Sequence, residues 1–380
     1  ATRPLTVLAQ ANQGTVGIQP ANPGTLALFA GSPPEKIDAP SRIITNVTDT
    51  ALLQIFPPES ELLLARVQVY GNTNTRIARA ESPRFRFNSS EPILVIELDS
   101  GRLRLSRPDT DGEPFTIEIV TPQAQLTVRQ PGQYSLAVSN TETQVAVQQG
   151  AVTVTAGGRS LALTGDQRAV VPVAGTAVGP LDSERNLIVN GDFDDELAEW
   201  TSLAWNVELA GQPAGETSIV EEAGDPSLRF SRLGSGHADA SVRQLINQDV
   251  TDYSVLRLEV SLLVIAQSLG VCGVQGSECP LIVRLEYEDS NGGAQVWQQG
   301  FFATGEFATT TPDVCISCPP PRPTHHRVTL GQLSFFTSDI LAELRQQGLP
   351  PPRRIKSVTL LASGHSFETE VVEVALMAKE

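Results

Sequence analysis

The chain has 380 residues, 40% of them hydrophobic and 18% charged, and its formal net charge at pH 7 is −16. This apolar content is enough to build globular cores, so the composition excludes global disorder, and the length is typical of two or three domains. The acidic surface repels phosphate backbones, so we expect no nucleic-acid partner. Apolar runs stay shorter than the roughly 20 residues that span a bilayer.

Residues 1–40 are rich in Pro, Gly and Gln and contain two short apolar runs. Such a segment is typical of an extended arm that becomes ordered by lying on another surface, in its own chain or in a neighbour. We predict that this arm adds a β-strand to a neighbouring molecule. The apolar side chains expected at the contact are Leu5, Val7, Leu8, Leu26, Leu28 and Phe29.

Residues 41–173 alternate between apolar and polar side chains, as in 64–70 (LARVQVY) and 115–120 (FTIEIV). Turn signals such as Ala156-Gly157-Gly158 separate the runs. Short alternating strands at this spacing predict an all-β fold, either a sandwich or a solenoid-like stack.

This stretch resembles the FecR-type extracytoplasmic domain. The motifs that carry the resemblance are, in chain order, residues 98–103 (LDSGRL), 114–117 (PFTI), 121–124 (TPQA), 145–154 (VAVQQGAVTV) and 163–167 (LTGDQ). The chain departs from the family at residues 130–133 (QPGQ), where a Gly-Thr pair is usual. The best-known members relay surface signals to a sigma factor through a cytoplasmic N-terminal segment. Since no such segment is recognisable here, that role is not carried over, and a membrane-tethered sensor or scaffold is an alternative function.

Residues 174–185 are predicted to be a linker, and residues 186–380 a second domain. The motif at 186–194 (NLIVNGDFD), the following Trp200 and the alternating segment 370–376 resemble jelly-roll domains of the carbohydrate-binding-module type. The resemblance implies a final strand that runs back beside the first. A short helix is predicted over residues 339–347, with Ser338 as its N-cap.

All four cysteines lie in the last third of the chain, and they allow two interpretations. In an oxidising compartment they form two disulfides, for which we favour the local pairs Cys272–Cys279 and Cys315–Cys318. In a reducing compartment a zinc site is the alternative, because Cys315 and Cys318 have the C-x2-C spacing.

The jelly-roll resemblance implies a calcium site, since an acidic residue on the first strand and one on the last share the ion in such domains. The matching positions are Asp194 and Glu373, with Asp192 as a further candidate. The last-strand residue is usually Asp rather than Glu, and unpaired surface carboxylates are the alternative interpretation.

Sugar binding requires exposed aromatic rings, which stack on the apolar faces of pyranoses. The candidates are Trp205, Tyr287 and Trp297. Because aromatic residues make up only 5% of the chain, the alternative is that they serve the core.

Catalytic motifs are not evident, since G-x-S-x-G is missing and the four histidines have no recognisable triad partners. The only methionine is Met377, so we expect that a signal peptide or membrane anchor was removed before Ala1. We therefore predict a non-catalytic, extracytoplasmic subunit of a filament-like cell-surface assembly, which self-associates or binds another surface protein. The tethered sensor and a calcium-dependent protein that binds cell-surface glycans are the alternatives.

Overall fold

The computed structural model describes residues 2–21, 24–84, 91–110, 112–222, 225–275, 278–305 and 325–380. Within these ranges the regular secondary structure consists of strands and two short helices, so the predicted all-β class is confirmed. It divides into two compact units, Ala1–Ser183 and Glu184–Glu380. The described residues include no helix that is long and apolar enough to cross a membrane.

The first unit contains eighteen strands in its described residues. They are β1 (Thr2–Pro4), β2 (Thr6–Gln13), β3 (Thr15–Pro20), β4 (Leu26–Phe29), β5 (Glu35–Ile37), β6 (Ser41–Ile44), β7 (Thr50–Phe56), β8 (Ala65–Val69), β9 (Asn74–Pro83), β10 (Ile93–Arg107), β11 (Thr116–Val120), β12 (Gln125–Val128), β13 (Gly132–Val138), β14 (Glu142–Gln149), β15 (Ala151–Ala156), β16 (Arg159–Thr164), β17 (Gln167–Pro172) and β18 (Val178–Asp182).

These strands form two ladders that share the long strand β10. Sheet I has the order β4-β3-β6-β9-β10-β11-β12-β15-β16, with β1 on β9. Sheet II has the order β5-β2-β7-β8-β10-β13-β14-β17-β18. The strand β10 changes sheet at Gly101, where the backbone passes so close to Thr73 that an added Cβ would lie 2.4 Å from the Thr73 Cα.

The alternating side chains of both sheets meet in one apolar core, which includes Val7, Leu105 and Val147. The prediction of an extended arm over residues 1–40 is therefore wrong. Strand β2 pairs with β7 and β5 of its own unit. The period-two pattern of small apolar residues from Val7 to Ala11 fills this core, while the Pro and Gly residues lie mainly at the strand ends.

The six predicted arm residues are accordingly divided between the core and the surface. Leu5, Val7 and Leu28 are buried, and Leu8 is half-buried. Leu26 and Phe29 on β4 remain exposed, at 41% and 57%. The predicted linker is also corrected, because its residues 178–182 form β18 and pair with β17.

The second unit contains the remaining strands and both helices. They are β19 (Arg185–Asn186), β20 (Thr201–Trp205), β21 (Glu216–Glu222), β22 (Asp225–Arg232), β23 (Ala238–Asp249), β24 (Val255–Gln267), α1 (Cys272–Gln275), β25 (Leu281–Asp289), β26 (Ala294–Phe302), β27 (His326–Arg327), β28 (Ser334–Asp339), α2 (Ile340–Gln346), β29 (Pro352–Gly364) and β30 (Phe367–Lys379).

Two sheets enclose the core of this unit. Sheet III has the order β21-β22-β30-β24-β28, and sheet IV has the order β20-β23-β29-β25-β26-β27. The short strand β19 lies antiparallel beside β30, as the jelly-roll resemblance implied. The N-cap of α2 is Asp339, which accepts the Ala342 N–H at 3.0 Å, and not the predicted Ser338, whose hydroxyl bonds to Glu343 instead.

Candidate functional site

A groove with a volume of about 300 Å³ lies on the outer face of sheet III. Its floor and walls come from β24 (Glu259, Ser261), β28 (Phe335, Thr337) and β30 (Glu373). Ser261 lies opposite Phe335 on one side and opposite Glu373 on the other. Because neighbouring strands are about 4.8 Å apart, the backbones that carry Phe335 and Glu373 are separated by roughly 10 Å.

Phe335 is the most distinctive residue of this groove, because 75% of its surface is exposed. Its neighbour Phe336 points to the opposite face of β28, where its ring meets Phe301 edge to face at 5.0 Å. The partly buried neighbour packs the strand against the core, and the alternation of the strand turns the Phe335 ring outward. An exposed ring of this kind presents a flat apolar surface to a ligand.

Two carboxylates give the groove its charge. Glu259 accepts a hydrogen bond from Arg257 Nε at 2.6 Å, and Arg257 also reaches Glu184 at 2.9 Å. The hydrogen bond to Glu259 raises the pKa of Arg257 above its usual value. Glu373 is exposed on β30. The groove therefore combines an apolar ring with hydrogen-bond acceptors, the arrangement that a polar ligand with one apolar face requires.

The predicted calcium ligands lie near one another in the chain's fold but do not form a cluster. Gly191 accepts a backbone hydrogen bond from Val374 at 2.9 Å, which brings the turn after β19 beside the strand that carries Glu373. The side chains of Asp192 and Asp194 point into solvent. Since no metal-ligand group in the described ranges contains these carboxylates, calcium binding stays a prediction.

Two of the predicted sugar-stacking residues are buried. Trp297 is fully enclosed in the core and Tyr287 is 5% exposed, so neither can present a ring face to a sugar. For both the prediction is wrong: Tyr287 lies on the inward side of the alternating strand β25, and Trp297 on β26 is enclosed in the core, where it bonds to Glu343 of α2. Trp205 is half-buried and packs against the small apolar cluster around Cys272 and Cys279.

The predicted disulfide between Cys272 and Cys279 is present, with a Cα–Cα distance of 4.8 Å. Cys315 and Cys318 lie outside the described residues. The buried His325 lies within 4.8 Å of both sulfur atoms, and its Nδ1 accepts the Gly300 N–H at 2.7 Å. Because the two described cysteines are oxidised, they are not available to the zinc site that was the alternative.

A polar cluster at one end of sheet IV surrounds His237. Its Nε2 lies 3.2 Å from Asp239 and its Nδ1 lies 3.1 Å from Glu278, while its backbone N–H donates to Glu208 at 2.8 Å. Burial alone lowers the pKa of His237, but the hydrogen bonds and charges of Glu278 and Asp239 outweigh it and raise the pKa. Since carboxylates contact both ring nitrogens, His237 connects Asp239 of β23 to Glu278 before β25, and it is not available as a general base.

The groove on sheet III was missed at the level of sequence, although a signal was present. Residues 334–337 (SFFT) contain two adjacent phenylalanines. In a strand, adjacent side chains point to opposite faces, so one of the two must lie on the outer face of the sheet. The strand is short and runs directly into α2, so its alternation is difficult to distinguish from the start of the helix.

Comparisons with known proteins place the chain in no family. No family model matches it, and no curated protein matches it. Among solved structures, an anti-sigma factor candidate from Parabacteroides distasonis is 16% identical, with a TM-score of 0.28 over 41% of this chain and 71% of its own. The carbohydrate-binding module TmCBM61 in complex with β-1,4-galactotriose is 12% identical, with a TM-score of 0.28 over 52% of this chain and 99% of its own.

A family 11 carbohydrate-binding module from Clostridium thermocellum, in complex with a β-1,3-1,4-mixed-linked tetrasaccharide, is 11% identical. It covers 51% of this chain and 94% of its own, with a TM-score of 0.29. Scores this low decide neither the fold nor the function of this chain, which are argued from its own residues.

Proposed function

We propose that this chain is a non-catalytic extracytoplasmic binding protein whose second unit binds a neutral carbohydrate in the groove of sheet III. The observation that carries the proposal is the Phe335 ring, exposed at 75% and lying across Ser261 from Glu373. The apolar face of a pyranose stacks on such a ring, and its hydroxyl groups donate to the carboxylates. The Cys272–Cys279 disulfide supports an oxidising compartment outside the cytoplasm.

The dimensions and charge of the groove define the ligand class. A span of roughly 10 Å between the outer strands accommodates one or two sugar rings. The carboxylates of Glu259 and Glu373 repel uronic acids and sulfated sugars, so neutral hexose or pentose polymers are the expected ligands. Calcium at Glu373 stays part of the proposal, because the turn that carries Asp192 and Asp194 lies beside the strand of Glu373.

A glycan array probed with the full chain, in calcium and again in EDTA, tests the proposal. Hits are then measured by calorimetry with Phe335→Ala, Phe335→Tyr and, as a matched control, Leu333→Ala, which removes another exposed apolar side chain near the groove. We expect Phe335→Ala to weaken binding about tenfold or more, since ring contacts are worth about 0.5–1.5 kcal/mol beyond their buried area. The tyrosine variant and the control should bind as the unchanged chain does.

Two results would overturn the proposal. One is an array without hits in either condition. The other is a glycan whose affinity is the same for Phe335→Ala and for the unchanged chain, because this places the sugar elsewhere. Since Phe335 is exposed, its replacement by alanine should leave the melting temperature unchanged, which keeps a loss of binding distinct from a loss of folding.

A further inference from the structure

Sheet I ends in an open edge on each side. In the described part of the first unit, β4 pairs only with β3, and β16 pairs only with β15. Each of these strands therefore has one side whose backbone groups face away from the sheet. Exposed edges of this kind are templates for pairing with another strand, and natural proteins usually protect them.

The hydrogen-bond pattern identifies which residues face outward on β4. The Ala30 N–H donates to the Gly14 carbonyl at 3.0 Å. Because bonded and non-bonded pairs alternate along an antiparallel ladder, Leu28 and Leu26 are bonded to β3, and the N–H and C=O groups of Ala27 point outward.

The same argument applies to β16. It follows β15 through a two-residue turn, Gly157-Gly158, in which both residues have positive φ, as a type I′ turn requires. Such a turn is closed by a hydrogen-bonded pair, Ala156 with Arg159. Every second residue of β16, counted from Arg159, is therefore hydrogen-bonded to β15. The backbone N–H and C=O groups of Ala162, which lies between two of these residues, point away from β15.

Both edges carry the same three residues around the outward-facing position. They are Leu26-Ala27-Leu28 on β4 and Leu161-Ala162-Leu163 on β16. In each strand one leucine is buried, Leu28 at 3% and Leu163 at 0% exposed. The other leucine is on the same face and is only partly covered, with Leu26 exposed at 41%. Each edge thus has apolar surface left to bury.

The direction of the strands allows the two edges to meet. Of the eight steps from β4 to β16 across sheet I, seven are antiparallel and only β10 to β11 is parallel. An odd number of reversals means that β4 and β16 run in opposite directions. A second copy that is displaced along the sheet without being turned over therefore presents its β4 antiparallel to β16 of the first.

The register of this pairing follows from the outward-facing groups. With Ala27 opposite Ala162, the two residues exchange both backbone hydrogen bonds. Leu26 then lies opposite Leu163 and Leu28 opposite Leu161. Side chains that are opposite each other share a face, so all four leucines extend the existing core across the joint.

Sheet II lacks this complementarity. Its end strand β5 carries Glu35 and Lys36, and its other end strand β18 contains Pro180, which has no N–H to donate. Charged residues and proline are the usual means of protecting an edge. Strand β4 has neither, and β16 has only Arg159 at its first position.

We propose that copies of this chain join end to end, with β4 of one copy adding to β16 of the next, to form an open filament. The contact is heterologous, since two different edges meet, and repetition of such a contact gives a fibre rather than a closed dimer. The inference is independent of carbohydrate binding, because it uses only residues of the first unit.

The experiment follows assembly of the full chain by light scattering, size-exclusion chromatography and negative-stain microscopy over a range of concentrations. We expect concentration-dependent filaments. Ala27→Pro and Ala162→Pro each remove one outward N–H and should be monomeric alone, whereas Ala27→Val keeps the N–H and should assemble. A mixture of the two proline variants should give dimers, because each retains the edge that the other lacks.

Other results would overturn the proposal. It fails if the unchanged chain stays monomeric up to the millimolar range, if the proline variants assemble as it does, or if their mixture stays monomeric. Should Ala27→Pro fold poorly, Leu26→Lys replaces it on β4, since it places a charge in the joint while leaving the unit's own core untouched. Should Ala162→Pro fold poorly, Ser160→Pro replaces it on β16, since Ser160 is another outward-facing position of that strand. Filaments formed by Phe335→Ala separate this test from that of the carbohydrate site.

Discussion

Replacing Trp297 by phenylalanine distinguishes the core role of this residue from the sugar-binding role that the sequence suggested. Trp297 lies on β26 and is completely buried. Its indole N–H donates to Glu343 Oε2 on α2 at 3.0 Å, so the side chain connects sheet IV to the helix. Phenylalanine keeps most of the apolar packing and removes the hydrogen bond.

The expected cost has two parts. A hydrogen bond to a charged acceptor contributes about 1.5–3 kcal/mol. The smaller ring also leaves unfilled space, which adds about 1–2 kcal/mol if the site relaxes only in part. For a unit of this size each kcal/mol lowers the melting temperature by about 2–4 °C, so we expect a decrease of roughly 5–20 °C.

Tryptophan fluorescence is the appropriate assay, because all three tryptophans lie in the second unit and two remain after the replacement. Thermal and urea unfolding that are followed by tryptophan fluorescence report the second unit alone. Carbohydrate affinity should be unchanged below the transition. An unaltered melting temperature together with lost sugar binding would refute the burial argument and restore the interpretation of Trp297 as a sugar platform.

Two further predictions concern charged groups of the second unit. Because the pKa of His237 is raised on folding, its stabilising effect is present below about pH 6.5 and is lost as the pH rises through the folded value. Urea unfolding between pH 5.5 and 8.5 should show this decline, and an equal slope in His237→Gln would contradict it. Arg229→Ala leaves Glu370 buried at 2% exposure, whereas Glu370→Gln leaves an arginine that is 26% exposed and hydrated. We expect the first change to cost about 2–4 kcal/mol and the second clearly less; equal costs would contradict the reasoning.

The sequence was most informative where the alternation was regular and its phase was unambiguous. Residues 65–69 and 115–119 contribute to β8 and β11, and within these ranges only one set of alternate positions is apolar, so the buried face is determined. The local disulfide between Cys272 and Cys279 was also predictable, since a short loop between two cysteines in an oxidising compartment favours pairing.

Which aromatic rings face the solvent was not predictable in the same way, because the phase of some strands is ambiguous. In β26, residues 296–302 (VWQQGFF) have large side chains at both odd and even positions. Local pattern therefore cannot tell whether Trp297 faces the core or the solvent. Burial is decided by the opposing sheet and by α2, which supplies the partner Glu343 from 46 residues away.

The N-terminal segment shows a different limit. The sequence analysis assigned Leu26 and Phe29, which are exposed, to the same arm as Leu5, Val7 and Leu28, which are buried. Whether a strand is central or at an edge depends on which other strands pair with it, and this is a property of topology rather than of the local pattern. Once β2 and β3 are placed inside the two ladders, β4 becomes a fixed edge. A fixed edge loses less conformational entropy on pairing than a flexible arm does, so the corrected structure makes strand addition between copies more favourable.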